Sequence, residues 1–274
     1  MIPPRDKILR IGVGGLGAIG WPLVGRLARG MPGMALAAVA ARDRAKAEAR
    51  LAVGGIAAEI VTPAELADRA DVVIECLPAA LFRAIAEPAI DAGRLLLALS
   101  AGALLDHLDL VERAKATGAR IIVPTGALLG LDAVRAAAEG EIRSARLITR
   151  KPPGGLAGAP YLVTRGISLA GLDHPLMVFD GTAREGVRGF PANVNVAAAL
   201  ALAGIGPDRT MVEIWADPTV TRNIHRIEVE AEAARLSLQI ENVPSAENPR
   251  TGRLTPLSVI AALRKLSSPL AIGT

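Results

Sequence analysis

The chain is poor in aromatics, nearly without cysteine and free of long unbroken apolar runs, and each shortage removes a class of protein. Its 274 residues include two Trp, one Tyr and three Phe, so little is available on which to stack nucleic-acid bases. Lys and Arg number 31 against 27 Asp and Glu, a formal net charge of +4. They are scattered among acids rather than gathered into a run, which also argues against a nucleic-acid partner. A modest positive balance suits small anionic ligands drawn into a cleft. Cys76 is the single cysteine, which excludes an internal disulfide and is compatible with a reducing compartment. Inside the apolar run DVVIECLPA it reads as a buried structural thiol rather than a nucleophile. No apolar stretch reaches the roughly 18 residues of a spanning helix without Gly, Pro or charge, and the opening MIPPRDK has no signal-peptide core. These features predict a cytoplasmic protein with neither membrane nor nucleic acid as partner.

Several catalytic signatures are missing as well. There is no Cys pair, no HxxxH and no His with an acid at ligand spacing, so no zinc site is indicated. There is no GxSxG elbow, and Ser100 has no base near it in sequence.

Apolar residues make up 51% of the chain, so with so few rings the core must be built from Ala, Val, Leu and Ile. The length is enough for two domains. ILRIGV, MALAAVAAR, DVVIECLPA, LLLALSAGA and ARIIVPTGA read as buried strands. WPLVGRLARG, DRAKAEARLA and LFRAIAEPAIDAG carry helical spacing between them. That alternation predicts βαβ units and a doubly wound parallel sheet of the Rossmann type over residues 1–135. Further on the rhythm changes. ARLITRKPP, TMVEIWADP and HRIEVEAEAARLSLQIENV are closely spaced strands, with one helix at NVNVAAALALAG, which predicts a C-terminal α/β domain with a largely antiparallel sheet over 136–250. GGLAGAP marks a flexible loop. Residues 251–274 contain a last helix with Thr255 as N-cap and Pro256 in its first turn, packing back on the first domain.

The strongest local motif is GxGxxG at Gly15, Gly17 and Gly20, directly after a predicted strand and opening a predicted helix. Small residues there, with Ala18 and Ile19 between them, let backbone amides approach a pyrophosphate at a positive helix end. An overlapping register through Gly12, Gly14 and Gly17 would cut the strand short. A glycine turn that merely packs strand on helix is the competing reading, and the flanking strand and helix weigh against it. At the end of the second strand an acid would favour NAD and a base would accept the 2′-phosphate of NADP. The chain offers both, Arg42 and Asp43, so either cofactor fits, and Asp43 could equally be a helix cap. Pro78, Ser100, Ala101, Gly102, Thr125, Gly126 and Ala127 fall at the ends of later strands, bordering the ligand crevice.

In the second half Asn193 and Asn195 sit at a helix start, where only one can be the cap. His107 reads as a surface residue of a polar helix, LLDHLDLVERAKATG, and His174 as a loop residue. His225, in TVTRNIHRIEVEAE, is the one serious general acid/base candidate, since an ordinary imidazole titrates near neutral pH. On spacing alone a structural role is as plausible as a catalytic one.

GLGAIG, TGALLGLDA, TRKPP, GFPANVNVAAALALAGIGPDRTMVEIWADP, TRNIHRIEVEAE and IENVPSAENPRTGRLTPLSVIAALR together resemble the L-aspartate dehydrogenase family. The likeness runs nearly end to end, and the stretches 189–218 and 221–264 are far more specific than the glycine motif. It implies a Rossmann domain, a second domain that also forms a homodimer, and oxidation of the α-amine of L-aspartate by NAD or NADP. The product would be iminoaspartate, which hydrolyses to oxaloacetate and ammonia or feeds pyridine nucleotide biosynthesis. The family's catalytic histidine falls on His225, and its cofactor contacts fall on Ala127 and Asn195. Ile224 departs from the Thr of many relatives, which alters the polarity beside the histidine. For the substrate carboxylates the cationic and amide candidates are Lys151, Arg150, Arg222 and Asn193. Another two-domain dehydrogenase or reductase, or a dinucleotide-binding sensor without turnover, would share the first domain.

Overall fold

The computed structural model describes residues 8–191, 195–245, 247–248 and 251–273. Their contacts divide the chain into two compact units, residues 1–124 with 256–271, and residues 125–255 with 272–274.

In chain order the first unit runs β1 (Leu9–Gly14), α1 (Gly20–Ala28), β2 (Met34–Ala40), α2 (Arg44–Val53), β3 (Glu59–Val61), α3 (Leu66–Arg69), β4 (Val72–Glu75), α4 (Phe82–Asp91), β5 (Leu95–Ala98), α5 (Ala101–Leu105), α6 (Asp109–Thr117) and β6 (Arg120–Ile122). The strands form one parallel sheet in the order β3-β2-β1-β4-β5-β6. This is the doubly wound order of dinucleotide-binding sheets, which reverses direction between β1 and β4. Alternate residues of each strand feed two separate cores. Ile11, Val13, Val72 and Ile74 pack with Leu23, Val24 and Leu51 on one face. Val73 packs with Leu66, Phe82, Ile85 and Ile90 on the other. Burial on both faces explains why these strands read as unbroken apolar runs rather than alternating ones.

The second unit runs α7 (Leu131–Ala137), β7 (Ile142–Lys151), α8 (Pro160–Thr164), β8 (Leu176–Thr182), α9 (Ala183–Gly189), α10 (Asn195–Ala203), β9 (Thr210–Ala216), β10 (Asn223–Ala231) and β11 (Arg235–Asn242). Its sheet has the order β11-β10-β7-β9-β8. Three of its pairings are antiparallel, and β7 with β9 is parallel. The sheet is thus largely antiparallel, as expected, and its one parallel pair arises because the chain between β7 and β9 crosses over through α8, β8, α9 and α10 instead of turning as a hairpin. α10, which is apolar all round, packs on α7 and α9 and on the β7–β9 pair. Tyr161, Phe179 and Phe190 form a ring cluster with centroids 5.3–5.6 Å apart, so half of the few aromatics meet at one point.

The last helix, α11 (Leu254–Ser267), places Val259 and Leu263 in the first unit's core. It starts one residue before Thr255, so Thr255 is a helical residue and not the N-cap. The predicted polar helix around His107 is two helices, α5 and α6, and His107 lies half-buried in the turn between them, stacked on Phe82 at 6.0 Å. GGLAGAP runs from the end of a 3₁₀ turn through a tight bend into α8. No helix among the described residues is long and apolar enough to cross a membrane.

Candidate active site

In the first unit the chain leaves β1 through a turn in which two of the three glycines, Gly15 and Gly20, have separate steric reasons. Gly15 has φ +101°, and a Cβ there would stand 2.7 Å from the Cys76 carbonyl oxygen. A Cβ on Gly20, the first residue of α1, would stand 1.9 Å from the Gly15 carbonyl oxygen. Gly17 is exposed with nothing within 4 Å of its Cβ position. Ala18 and Ile19 complete the turn, and no side chain caps α1. Gly12 and Gly14, by contrast, lie inside β1, where their bare α-carbons admit Leu66 and Ala70 of the α3 segment and Ile85 of α4. The turn therefore belongs to the register of Gly15, Gly17 and Gly20. A pyrophosphate fits such a cradle, with open backbone at the second glycine facing an uncapped positive helix end.

At the end of β2, Asp43 is the N-cap of α2, and its carboxylate accepts the Lys46 N–H at 3.0 Å. Arg42 is exposed beside it. The capping role of Asp43 is thus present, and it does not prevent the outer carboxylate oxygen from meeting a ribose.

Sequence reasoning missed Glu75, the last residue of β4, which is fully buried. Its carboxylate accepts the N–H groups of Leu77, Leu99 and Ser100 at 2.9–3.1 Å and the Ser100 hydroxyl at 3.0 Å. Burial pushes its pKa above the usual carboxylate range, opposed by the bonds from Ser100, Leu99 and Leu77. The side chain thereby ties together the ends of β4 and β5, which border the topological switch. Within an apolar run an acid looks like a solvated break, and only the four donors reveal its purpose. Glu75→Gln turns one acceptor into a donor facing donors, so thermal or denaturant unfolding should show a loss of about 2 kcal/mol or more. Unchanged stability would show the clamp to be dispensable. The neighbouring Cys76 is half-buried, and burial, then the Glu75 charge, push its thiol well away from the thiolate form.

In the second unit the inner face of the sheet is apolar along most of its length and polar at one end. Leu147, Val212, Ile227 and Val229 are buried on it, and so are Thr149, Lys151, Asn223, His225 and Asn242. Register explains the grouping. His225 pairs with Thr149 on one side and Ile240 on the other, and Asn223 pairs with Asn242. One step further along the antiparallel register of β10 and β7 brings Asn223 opposite Lys151. His225 is 2% exposed, and its Nδ1 lies 3.1 Å from the Thr149 hydroxyl. Burial, and then the nearby charge of Lys151, lower its pKa from 6.5 to about 3. The expectation of an imidazole titrating near neutrality is corrected accordingly: in the free protein the ring is neutral, held in orientation by Thr149.

Of the other predicted residues, Ala127 lies in a turn closed by the Leu128 N–H on the Thr125 carbonyl, and its own carbonyl accepts Asn242 Nδ2 at 2.8 Å. Asn195 is the exposed first residue of α10. Asn193 lies outside the described residues. Arg222 is exposed and 3.9 Å from Glu241, away from the buried cluster. Arg150 pairs with Asp217 at 3.2 Å and covers the Trp215 ring at 4.7 Å. His174 is exposed beside Asp173. Among the described residues, Lys151 is thus the one proposed carboxylate partner that shares a buried cluster with His225.

Residues 132–266 match the family model described as aspartate dehydrogenase, C-terminal, and residues 15–124 match the NAD-binding domain of homoserine dehydrogenase. The chain is 54% identical to an L-aspartate dehydrogenase of Bradyrhizobium diazoefficiens, over 97% of this chain and 94% of that one. It is 52% identical to L-aspartate dehydrogenase 3 of Bordetella bronchiseptica, over 97% and 98%. Among solved structures, aspartate dehydrogenase from Thermotoga maritima superposes with a TM-score of 0.73 at 24% identity, covering 97% of this chain and 99% of that one.

Proposed function

The chain belongs to the L-aspartate dehydrogenase family, and from that membership we propose that it oxidises the α-amine of L-aspartate with NAD or NADP, and catalyses the reverse reductive amination. The observation that carries this reading is the 54% identity to an L-aspartate dehydrogenase across 97% of the chain.

The dinucleotide, when bound, supplies the acceptor for a hydride. The turn at Gly15, Gly17 and Gly20 receives its pyrophosphate, and Arg42 and Asp43 stand where an adenosine ribose is read. His225 is the proposed general base. An ammonium carries no lone pair to push out a hydride, so a proton must first leave the nitrogen, and the neutral imidazole accepts it. The lone pair then forms the C=N bond as the hydride leaves Cα with its two electrons. Water adds to the resulting iminoaspartate, and ammonia departs to leave oxaloacetate.

A pKa of about 3 would make His225 a poor base in the free protein. Substrate corrects this electrostatically. A carboxylate paired with Lys151 offsets the cation that depresses the imidazole, and a second carboxylate nearby favours the imidazolium. The base is thus strengthened by the ligand it serves. Thr149 holds the ring by Nδ1 and leaves Nε2 for the proton.

We also infer a cytoplasmic homodimer joined through the outer face of the second unit's sheet. Outward positions there, among them Ile148, Met211, Trp215 and Ile224, are only half-buried. Sedimentation of the intact chain as a monomer would exclude it.

Activity is tested by following the reduced-nicotinamide absorbance while L-aspartate, D-aspartate, glutamate and alanine are offered with each cofactor. Turnover of L-aspartate alone is the expected result, and turnover of none of them would overturn the reading.

A further inference from the structure

Asn242, at the end of β11, is 3% exposed, and its Oδ1 is a buried side-chain atom with no hydrogen-bond partner among the described residues. The amide cannot be flipped to hide the problem. Its other end meets the Ala127 carbonyl oxygen at 2.8 Å, and a carbonyl only accepts, so that end is the NH2 group. Gly252 lies against the same side chain, where an added Cβ would come within 3.1 Å of it. An acceptor buried and left without a donor costs free energy unless a ligand supplies one.

The neighbours indicate what that ligand carries. Asn242 pairs directly with Asn223 and stands diagonal to His225 across the β10–β11 ladder, a separation of about 7–8 Å within reach of one small molecule. Lys151 lies beyond Asn223 on the same face. The same end of this sheet face therefore carries a lone-pair acceptor, a neutral imidazole and a buried cation. A carboxylate would be repelled by the acceptor and drawn to the cation, whereas an ammonium has the N–H groups that the acceptor lacks.

We propose that Asn242 Oδ1 accepts an N–H of the substrate's α-ammonium and so orients that nitrogen for His225. This rests on the amino-acid dehydrogenase reading given above. Asn242 is then a binding residue selecting an amine, in addition to steadying the Ala127 turn.

Calorimetry on the complex with reduced dinucleotide, which needs no turnover, separates the two ideas. L-Aspartate is compared with succinate, which has both carboxylates and no amine. Asn242→Ala is expected to weaken L-aspartate binding about 10–100-fold, the loss of a hydrogen bond to a charged group. Succinate affinity and the affinity for reduced dinucleotide should stay within about threefold of wild type. Asn242→Asp keeps an acceptor oxygen and should preserve the preference for L-aspartate over succinate. Equal weakening of L-aspartate and succinate in either variant would overturn the proposal. So would a loss confined to dinucleotide affinity, which would assign the atom to the cofactor or to the turn alone. If Asn242→Ala does not fold, the ratio of the two affinities in Asn242→Asp decides. Absence of L-aspartate turnover in the wild type would sink the parent reading without touching this comparison.

Discussion

Replacing His225 by alanine should lower turnover of L-aspartate by about two to four orders of magnitude, as loss of an acid/base group does. Affinity for the dinucleotide should be far less affected, because the glycine turn proposed to receive its pyrophosphate lies outside the unit that holds His225. A variant that kept its rate would remove the histidine from the chemistry. The wild-type pH profile gives an independent check. With the free imidazole lowered to about 3 by burial and Lys151, the acid limb of kcat/KM should lie well below the ordinary imidazole range near 6.5. The kcat profile reports the substrate complex. Carboxylates bound beside Lys151, as proposed, would favour the imidazolium, so its acid limb should stand at higher pH than that of kcat/KM. Coincident limbs would mean that substrate does not tune the base.

The same shift has a consequence for stability, with a definite sign. An unfolded chain protonates this imidazole near pH 6.5, while the folded chain resists protonation down to about 3. Between those values the unfolded state binds more protons, so stability falls as the pH is lowered through that window. His225→Gln, which keeps a polar side chain against Thr149, should flatten that part of the stability curve. A slope equal to that of wild type would contradict the buried, neutral ring.

Much of this architecture was legible in the residues, and the exceptions have physical causes. β1, β2, β4 and β5 are buried on both faces, so their apolar runs stand out whatever the chain does elsewhere. β3 has only three residues, and β8 carries a register irregularity between Met177 and Phe179, so neither displays a clean period. The pairing of β7 with β9 joins segments more than 60 residues apart, and nothing local in either strand specifies a parallel neighbour. Among candidate site residues, the glycine turn stood out by its spacing between a strand and a helix, and His225 by its residue type and the family resemblance rather than by spacing. Glu75 and Asn242 did not. One is an acid in an apolar strand and the other an amide at a strand end, and each acquires meaning only from donors and acceptors that tertiary structure brings to it. Lys151 and Arg222 were both cationic candidates for the substrate carboxylates. Alternation along β7 buries Lys151, while Arg222, just before β10, stays in solvent.

The glycine turn admits a sharper test than deletion, because its members are bare for different reasons. Gly20→Ala places a methyl group 1.9 Å from the Gly15 carbonyl oxygen, and that oxygen belongs to backbone that cannot move aside without parting β1 from α1. Overpacking in a well-filled core costs about 1–3 kcal/mol, and a rigid backbone neighbour puts this case at the upper end or beyond. Gly20→Ala should therefore unfold at lower denaturant and lose dinucleotide binding together. Gly17→Ala meets no atom within 4 Å, so its unfolding midpoint should match wild type. The space it fills is the one through which, on the proposed reading, a pyrophosphate would reach the backbone amides. Its dinucleotide affinity should fall about tenfold or more, equivalent to roughly 1.4 kcal/mol of lost binding. Fluorescence titration with the reduced cofactor alongside denaturant unfolding reads both quantities on both variants. If Gly17→Ala binds as wild type does, the open side of the turn is not where the phosphates lie, and the glycines serve only to pack strand against helix.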